Sequence, residues 1–238
     1  MQLPTKGTLY LLPNFLDDSN SMSHLAPRVA EVAGGITNFI GESEKNVRAF
    51  VKKILPEKLQ SELQIMLLNE HNADGNTGAL MAPLHKGKDI GLMSDAGMPC
   101  IADPGYQVVR SCHEHGITVV PLAGASSILL TLVGSGFIGQ QFTFHGYLPY
   151  DKVLRQKKIK QMENDASIKN YTQLFMEAPY RNNQLLKELL DICESKTKLC
   201  AGIALTSPKE KIMMQSIAQW KKSIPDLHKI PVMFAIGK

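Results

Sequence analysis

Five apolar runs rich in strand formers recur through the first half of the chain, at residues 7–12 (GTLYLL), 36–40 (ITNFI), 63–68 (LQIMLL), 89–93 (DIGLM) and 117–122 (ITVVPL). Helical stretches lie among them. Residues 26–32 carry Pro27 in the first turn, where a missing N–H costs nothing. Residues 42–55 place Val47, Phe50, Val51 and Leu55 on one face with charges opposite. A helix over 78–86 follows, then one over 106–115 closed by Gly116. Strands that alternate with helices in this way predict a largely parallel sheet flanked by helices, hence an α/β fold.

The second half continues the pattern less regularly. Ser126 and Ser127 open an apolar helix over 126–133, and a strand starts at 142–144. Strands are predicted at 173–177, 199–205 and 232–236, and helices at 182–193 and 212–220. A chain of 238 residues accommodates one large domain or two compact ones. A boundary near Leu122 gives domains over 1–122 and 123–238.

Composition narrows the class. The net charge of +4 permits a polyanionic partner without demanding one. Five basic residues, Lys152, Arg155, Lys157, Lys158 and Lys160, are concentrated within nine positions. They fit either a phosphate-contacting surface or a solvated helix face. Cys100, Cys112, Cys193 and Cys200 form no C-x-x-C pair, which argues for a reducing compartment and against a zinc scaffold. The first residues, MQLPTKGTLYLLP, lack the charged lead and long apolar run of a signal peptide, and the run at 128–133 is too short to span a bilayer. A soluble cytoplasmic protein is expected.

The common nucleotide, metalloprotease and hydrolase signatures (GxxxxGK[ST], GxGxxG, HExxH, GxSxG) are absent. No metal is expected: His113 and His115 are two apart on a helix and point to different faces. The segment with most chemical content is LMSDAGMPCIADPGY at 92–106. A buried strand ends at Met93, and ligands of open α/β sheets bind outside the carboxyl ends of strands. Asp95 stands at such an end, and Gly97, Pro99, Pro104 and Gly105 shape the loop after it. VVPLAGASSI at 119–128 repeats the logic, since a helix N-terminus presents unsatisfied amides to a carboxylate or ribose oxygen. In FMEAPYR at 175–181 a strand ends at Glu177 and Arg181 follows, a spacing that also suits a structural ion pair.

Together these segments identify a resemblance. The chain resembles the tetrapyrrole methylase superfamily, and within it the ribosomal RNA small subunit methyltransferase I branch. That branch carries SDAG-x-P and DPGY, matched at 94–99 and 103–106, a VVP-x-x-G segment, matched at 119–124, and E-S-P-H-R, matched by EAPYR at 177–181. The resemblance implies two α/β domains with S-adenosylmethionine in a cleft between them, and a homodimer. It implies that Ser94, Asp95, Ala96, Gly97 and Ile101 hold the cofactor, that Ser126 and Ser127 meet its polar end, and that Met176, Ala204 and Pro231 line the adenine side.

The branch's E-D-T-R motif reads Glu42, Ser43, Glu44, Lys45 here, and its H-D-H-N-E run reads Asn69, Glu70, His71, Asn72, Ala73. The cofactor side is thus better matched than the substrate side. A ribose hydroxyl nucleophile must lose its proton, which makes Glu42 and His71 candidate bases, although either also suits a structural role. Lys45, Lys157, Lys158 and Arg181 are the candidate substrate contacts. Three readings stay open at this level: methylation of ribosomal RNA at a ribose oxygen, methylation of a tetrapyrrole or other small metabolite, and cofactor binding without catalysis.

Overall fold

The computed structural model describes residues 6–17, 22–68 and 77–238, without the side chain of Ser23. His71 and the rest of the 69–73 motif lie outside the described residues. The chain divides into two compact units, 1–125 and 126–238.

The first unit holds a five-stranded sheet of β1 (Leu9–Leu11), β2 (Asn38–Gly41), β3 (Gln64–Leu67), β4 (Ile90–Leu92) and β5 (Val119–Pro121), in the order β3-β2-β4-β1-β5. Every pairing is parallel, as the alternation of strand and helix predicts. All carboxyl ends therefore emerge on one edge, which gathers the loops that follow them. The sheet is covered on both faces. Val29 and Ala33 of α1 (Pro27–Gly35) and Val47, Phe50, Val51 and Ile54 of α2 (Glu44–Ile54) pack with Leu12 and Phe39. Leu80, Met81 and Leu84 of α3 (Thr77–His85) and Val108 and Cys112 of α4 (Tyr106–Glu114) pack with Leu9, Ile40 and Ile90. Ser43 caps α2 by accepting from the Asn46 amide at 3.4 Å.

The second unit is a mixed sheet of β6 (Phe142–Tyr147), β7 (Thr172–Met176), β8 (Lys198–Ile203), β9 (Lys211–Ser216) and β10 (Val232–Gly237), ordered β6-β7-β10-β8-β9. Only β6 and β7 pair in parallel. All six residues of β10 are buried, as its central place requires. Along the strands alternate residues divide between two cores. Phe175, Phe234 and Ala201 face Ile159 and Met162 of α6 (Lys152–Ile168) and Leu186 and Leu189 of α7 (Asn182–Ile192). Leu174, Ala235 and Cys200 pack with Leu132 of α5 (Ser127–Ser135).

One predicted helix is absent. Residues 211–216 form the edge strand β9, antiparallel to β8, and only 217–220 are helical, as the short α8 (Ile217–Trp220). Met213, Ile217 and Trp220 do recur at helical spacing. The start signal, however, sits at Ser216, whose hydroxyl and backbone exchange hydrogen bonds with Gln219 in a capping box. A helix that begins there leaves 211–216 free to satisfy its backbone against β8. Trp220, fully buried, donates its indole N–H to the Leu199 carbonyl at 2.9 Å.

Candidate active site

In the first unit the loops after β1, β2 and β4 meet. The Asn14 side chain, just beyond β1, donates to the carbonyls of Ser94 (3.1 Å) and Asp95 (2.9 Å). Its backbone N–H donates to the Gly97 carbonyl at 2.8 Å. Glu42, just beyond β2, accepts from the Asp95 amide at 3.0 Å. The SDAG loop is thus tied on both sides to neighbouring strand ends. Ser94 turns its hydroxyl back onto the Ala96 carbonyl (3.0 Å), whereas Asp95 and Ala96 are exposed. Gly97 adopts φ +68°, and a Cβ there would lie 2.9 Å from Leu16 Cδ2. Only glycine takes that conformation at little cost.

The loop continues through Cys100 and Ala102, both left-handed (φ 69° and 63°), with the exposed Ile101 between them. Two such residues store strain of about 1 kcal/mol or more each. Asp103 compensates: its carboxylate accepts from the Gly105 amide at 2.7 Å and is also approached by the Cys100 and Ile101 amides. Burial raises the Asp103 pKa, and these amides oppose the rise. A native pKa above the unfolded value means that Asp103 contributes most to stability at low pH. That contribution is lost as pH rises from about 3.9 through the higher native value. Asp103→Asn, which keeps an acceptor oxygen but never charges, should therefore gain Tm relative to wild type between acid and neutral pH. Differential scanning fluorimetry across that range checks the sign.

Other predicted residues fall as follows. Lys45 is exposed on the first turn of α2. Glu42, a candidate base, accepts from the Asp95 amide, a contact that also positions the loop. Burial pushes the Cys100, Cys193 and Cys200 thiols up to about 12 and Cys112 to about 11, opposite to the lowered pKa that favours a reactive thiolate. Asn14 and Asp103 were not among the candidate site residues, although Asp103 opens the DPGY segment. Asn14 acts on residues about 80 positions away, and only the pairing of β1 with β4 brings them together.

In the second unit Met176, Ala204 and Pro231 come together at one end of the sheet. Met176 lies opposite Met233 in the β7–β10 register, and the Ala204 amide donates to the Pro231 carbonyl at 2.9 Å. Ala204 and Thr206 are left-handed (φ 46° and 68°), and the buried Thr206 hydroxyl has no partner among the described residues. A strained stretch with an orphaned hydroxyl fits a segment shaped for a ligand. Ser126 caps α5, accepting from the Leu129 amide at 3.4 Å, with Ser127 half-buried beside it.

Arg181 Nη2 meets the buried Glu177 carboxylate at 2.5 Å, the ion pair that the spacing suggests. Lys157 is exposed and Lys158 half-buried on α6. Arg155 does not belong to that solvated face. It is buried, bonds Glu188 through Nε (2.8 Å) and Nη2 (2.7 Å), and donates from Nη1 to the Pro149 and Tyr150 carbonyls. Counting charges along the chain could not separate it from its solvated neighbours. Among the described residues no group of three or more His, Cys, Asp or Glu is arranged to hold a metal, and no helix is long and apolar enough to cross a membrane.

The family model of Tetrapyrrole (Corrin/Porphyrin) Methylases matches residues 21–220. The chain belongs to this methylase family. It is a methyltransferase, and methyltransferases of this family use S-adenosylmethionine. Among its relatives is the ribosomal RNA small subunit methyltransferase I of Bacillus subtilis, 30% identical over 214 residues, which are 90% of this chain and 68% of that protein. The protein of the same name from Halalkalibacterium halodurans is 31% identical over 205 residues, 83% of this chain and 67% of that one. The methylase fold is shared with the methyltransferase CobJ, with a TM-score of 0.61 at 15% identity, covering 98% of this chain and 94% of that one. A diphthine synthase gives 0.69 at 13% identity, covering 97% and 90%.

Proposed function

We propose that this methylase transfers the methyl group of S-adenosylmethionine to a ribose 2′-hydroxyl of small-subunit ribosomal RNA. The observation that carries the reading is the similarity, at about 30% identity over nine-tenths of the chain, to a curated protein named for that substrate. It favours RNA over a corrin precursor or another small metabolite, and catalysis over mere binding.

The residues fit the cofactor. Ser94, Asp95, Ala96, Gly97 and Ile101 form an anchored loop at strand carboxyl ends, with an exposed carboxylate and little side-chain bulk. Ser126, Ser127, Met176, Ala204 and Pro231 are the second unit's share, with Thr206 two residues beyond Ala204. When bound, the cofactor supplies a sulfonium-activated methyl group. The chain's work is to align it with the nucleophile and exclude water. In this reading Asn14 and Glu42 fix the Asp95 loop, Glu42 and His71 are the candidates for taking the hydroxyl proton, and Lys45, Lys157, Lys158 and Arg181 serve the RNA. The protein is read as cytoplasmic, in keeping with a ribosomal substrate and four free thiols, and as a homodimer on the family resemblance.

Ribose-methylation mapping of small-subunit RNA from cells with and without the gene should reveal a 2′-O-methyl mark that depends on it. An unchanged map overturns the substrate. Lys157→Gln with Lys158→Gln should weaken RNA binding and lower its salt slope by about one per lysine, with cofactor affinity untouched. Equal loss of cofactor affinity would make the basic face structural.

A further inference from the structure

Beside the amino end of α6, the second unit has a pocket of about 230 Å³ bounded by Tyr150, Lys152, Arg155, Glu177, Arg181 and Gln184. Its construction starts from the buried Arg155. With two nitrogens on Glu188, Arg155 uses the third to grip the Pro149 and Tyr150 carbonyls at 3.0 and 2.7 Å. That grip fixes the turn while leaving the Tyr150 ring 84% exposed, an unusual setting for an aromatic side chain on a well-anchored backbone. The Arg181 guanidinium lies 5.1 Å from the Tyr150 ring centre and 5.6 Å from that of Tyr180, itself 62% exposed.

Glu177 engages Nη2 of Arg181, and Nε of Arg181 is buried with no partner among the described residues. A buried donor left unmade marks a place where a ligand acceptor is missing. Lys152 is exposed at the rim, close enough to help hold the Glu188 carboxyl below its usual range, and forms no salt bridge among the described residues. The pocket therefore combines an aromatic face, a guanidinium plane, an unfilled donor and a solvated cation. Aromatic faces and arginine planes take unstacked bases, and cations take the phosphates between them. The volume is below that of drug-sized pockets and suits a single small group rather than a macrocycle.

We propose that this pocket holds one unstacked nucleotide of the RNA substrate, its base stacked on Tyr150 and its phosphate met by Lys152, with Arg181 Nε donating to the ligand. The proposal rests on the RNA-methyltransferase reading and names a recognition site for it. Tyr150 and Lys152 are exposed, so their substitution leaves the fold intact, whereas removing Arg181 strands the buried Glu177 and is avoided.

The test is binding of a single-stranded RNA of roughly ten nucleotides, taken from the methylated region, across a range of salt. Tyr150→Ala should weaken binding about tenfold at every salt concentration, and Tyr150→Phe should retain it, because stacking needs the ring and not the hydroxyl. Lys152→Ala should lower the slope of log affinity against log salt by about one. Cofactor affinity should be unchanged in all three. If Tyr150→Ala binds RNA as wild type does while wild type still methylates small-subunit RNA, the pocket proposal falls and the function stands. A wild-type protein that binds and methylates no RNA overturns both.

Discussion

Arg155→Ala should destabilise the second unit by about 3–5 kcal/mol, because it leaves the Glu188 carboxylate buried without its partner and frees the 149–150 turn. The pair is 7% and 12% exposed, bidentate, and spans 33 residues of chain. In a protein of this size that corresponds to a fall of about 10 °C or more in the transition assigned to that unit. Replacing both partners, as in Arg155→Met with Glu188→Leu, should cost far less, since no charge is then stranded. The pH dependence follows from the hydrogen bonds of Arg155, which hold the Glu188 carboxyl below its ordinary value. A lowered native pKa gives stability that is present above about pH 4.3 and is lost as pH falls through the native value. The gap between wild type and Arg155→Ala should accordingly narrow in acid. Denaturant unfolding at several pH values measures it, and a gap independent of pH refutes the account.

Gly97→Val should abolish cofactor binding in practice. The backbone there is left-handed at +68°, and the added side chain meets Leu16 and approaches the Ala125 carbonyl. A β-branched residue in that conformation is a severe outlier, so the loop must leave its position and with it the Asp95 amide held by Glu42. We expect S-adenosylmethionine affinity to fall more than tenfold, with a smaller loss for Gly97→Ala. Gly139→Ala, where the added Cβ meets nothing within 4 Å, should behave as wild type. Isothermal titration with the cofactor distinguishes them. Normal binding by Gly97→Val would remove the SDAG loop from the cofactor site.

How far the sequence reveals the molecule follows from where each signal resides. The parallel sheet of the first unit was legible because its strands are short, apolar and separated by helical stretches, all local properties. The capping serine Ser126 follows from the same kind of signal, whereas the cap at Ser43 fell inside the helix read over 42–55. Residues 212–216 were misread because apolar spacing at Met213, Ile217 and Trp220 satisfies a helix. The strand is decided by β8, a partner that periodicity does not contain. Arg155 shows the same limit for charge: its neighbours Lys157 and Lys160 are exposed, and only the approach of Glu188 on α7 makes it internal. In the site, the SDAG and DPGY segments announced a loop, but not the distant side chain of Asn14 that braces it, nor the buried carboxylate of Asp103 that gathers its amides.

The order β6-β7-β10-β8-β9 also constrains how the protein is made. The middle position belongs to the last of the five strands in chain order, at Val232–Gly237. As the chain emerges from the ribosome, β6 with β7 and β8 with β9 exist only as two-stranded ribbons, each too small to be stable alone. The first unit can close early, as amino-terminal domains generally do. The second must wait for residue 237 before its halves are joined, so its apolar strand faces are exposed throughout translation. The protein is consequently most open to chaperones and proteases through its second unit, in the interval before that final strand is inserted.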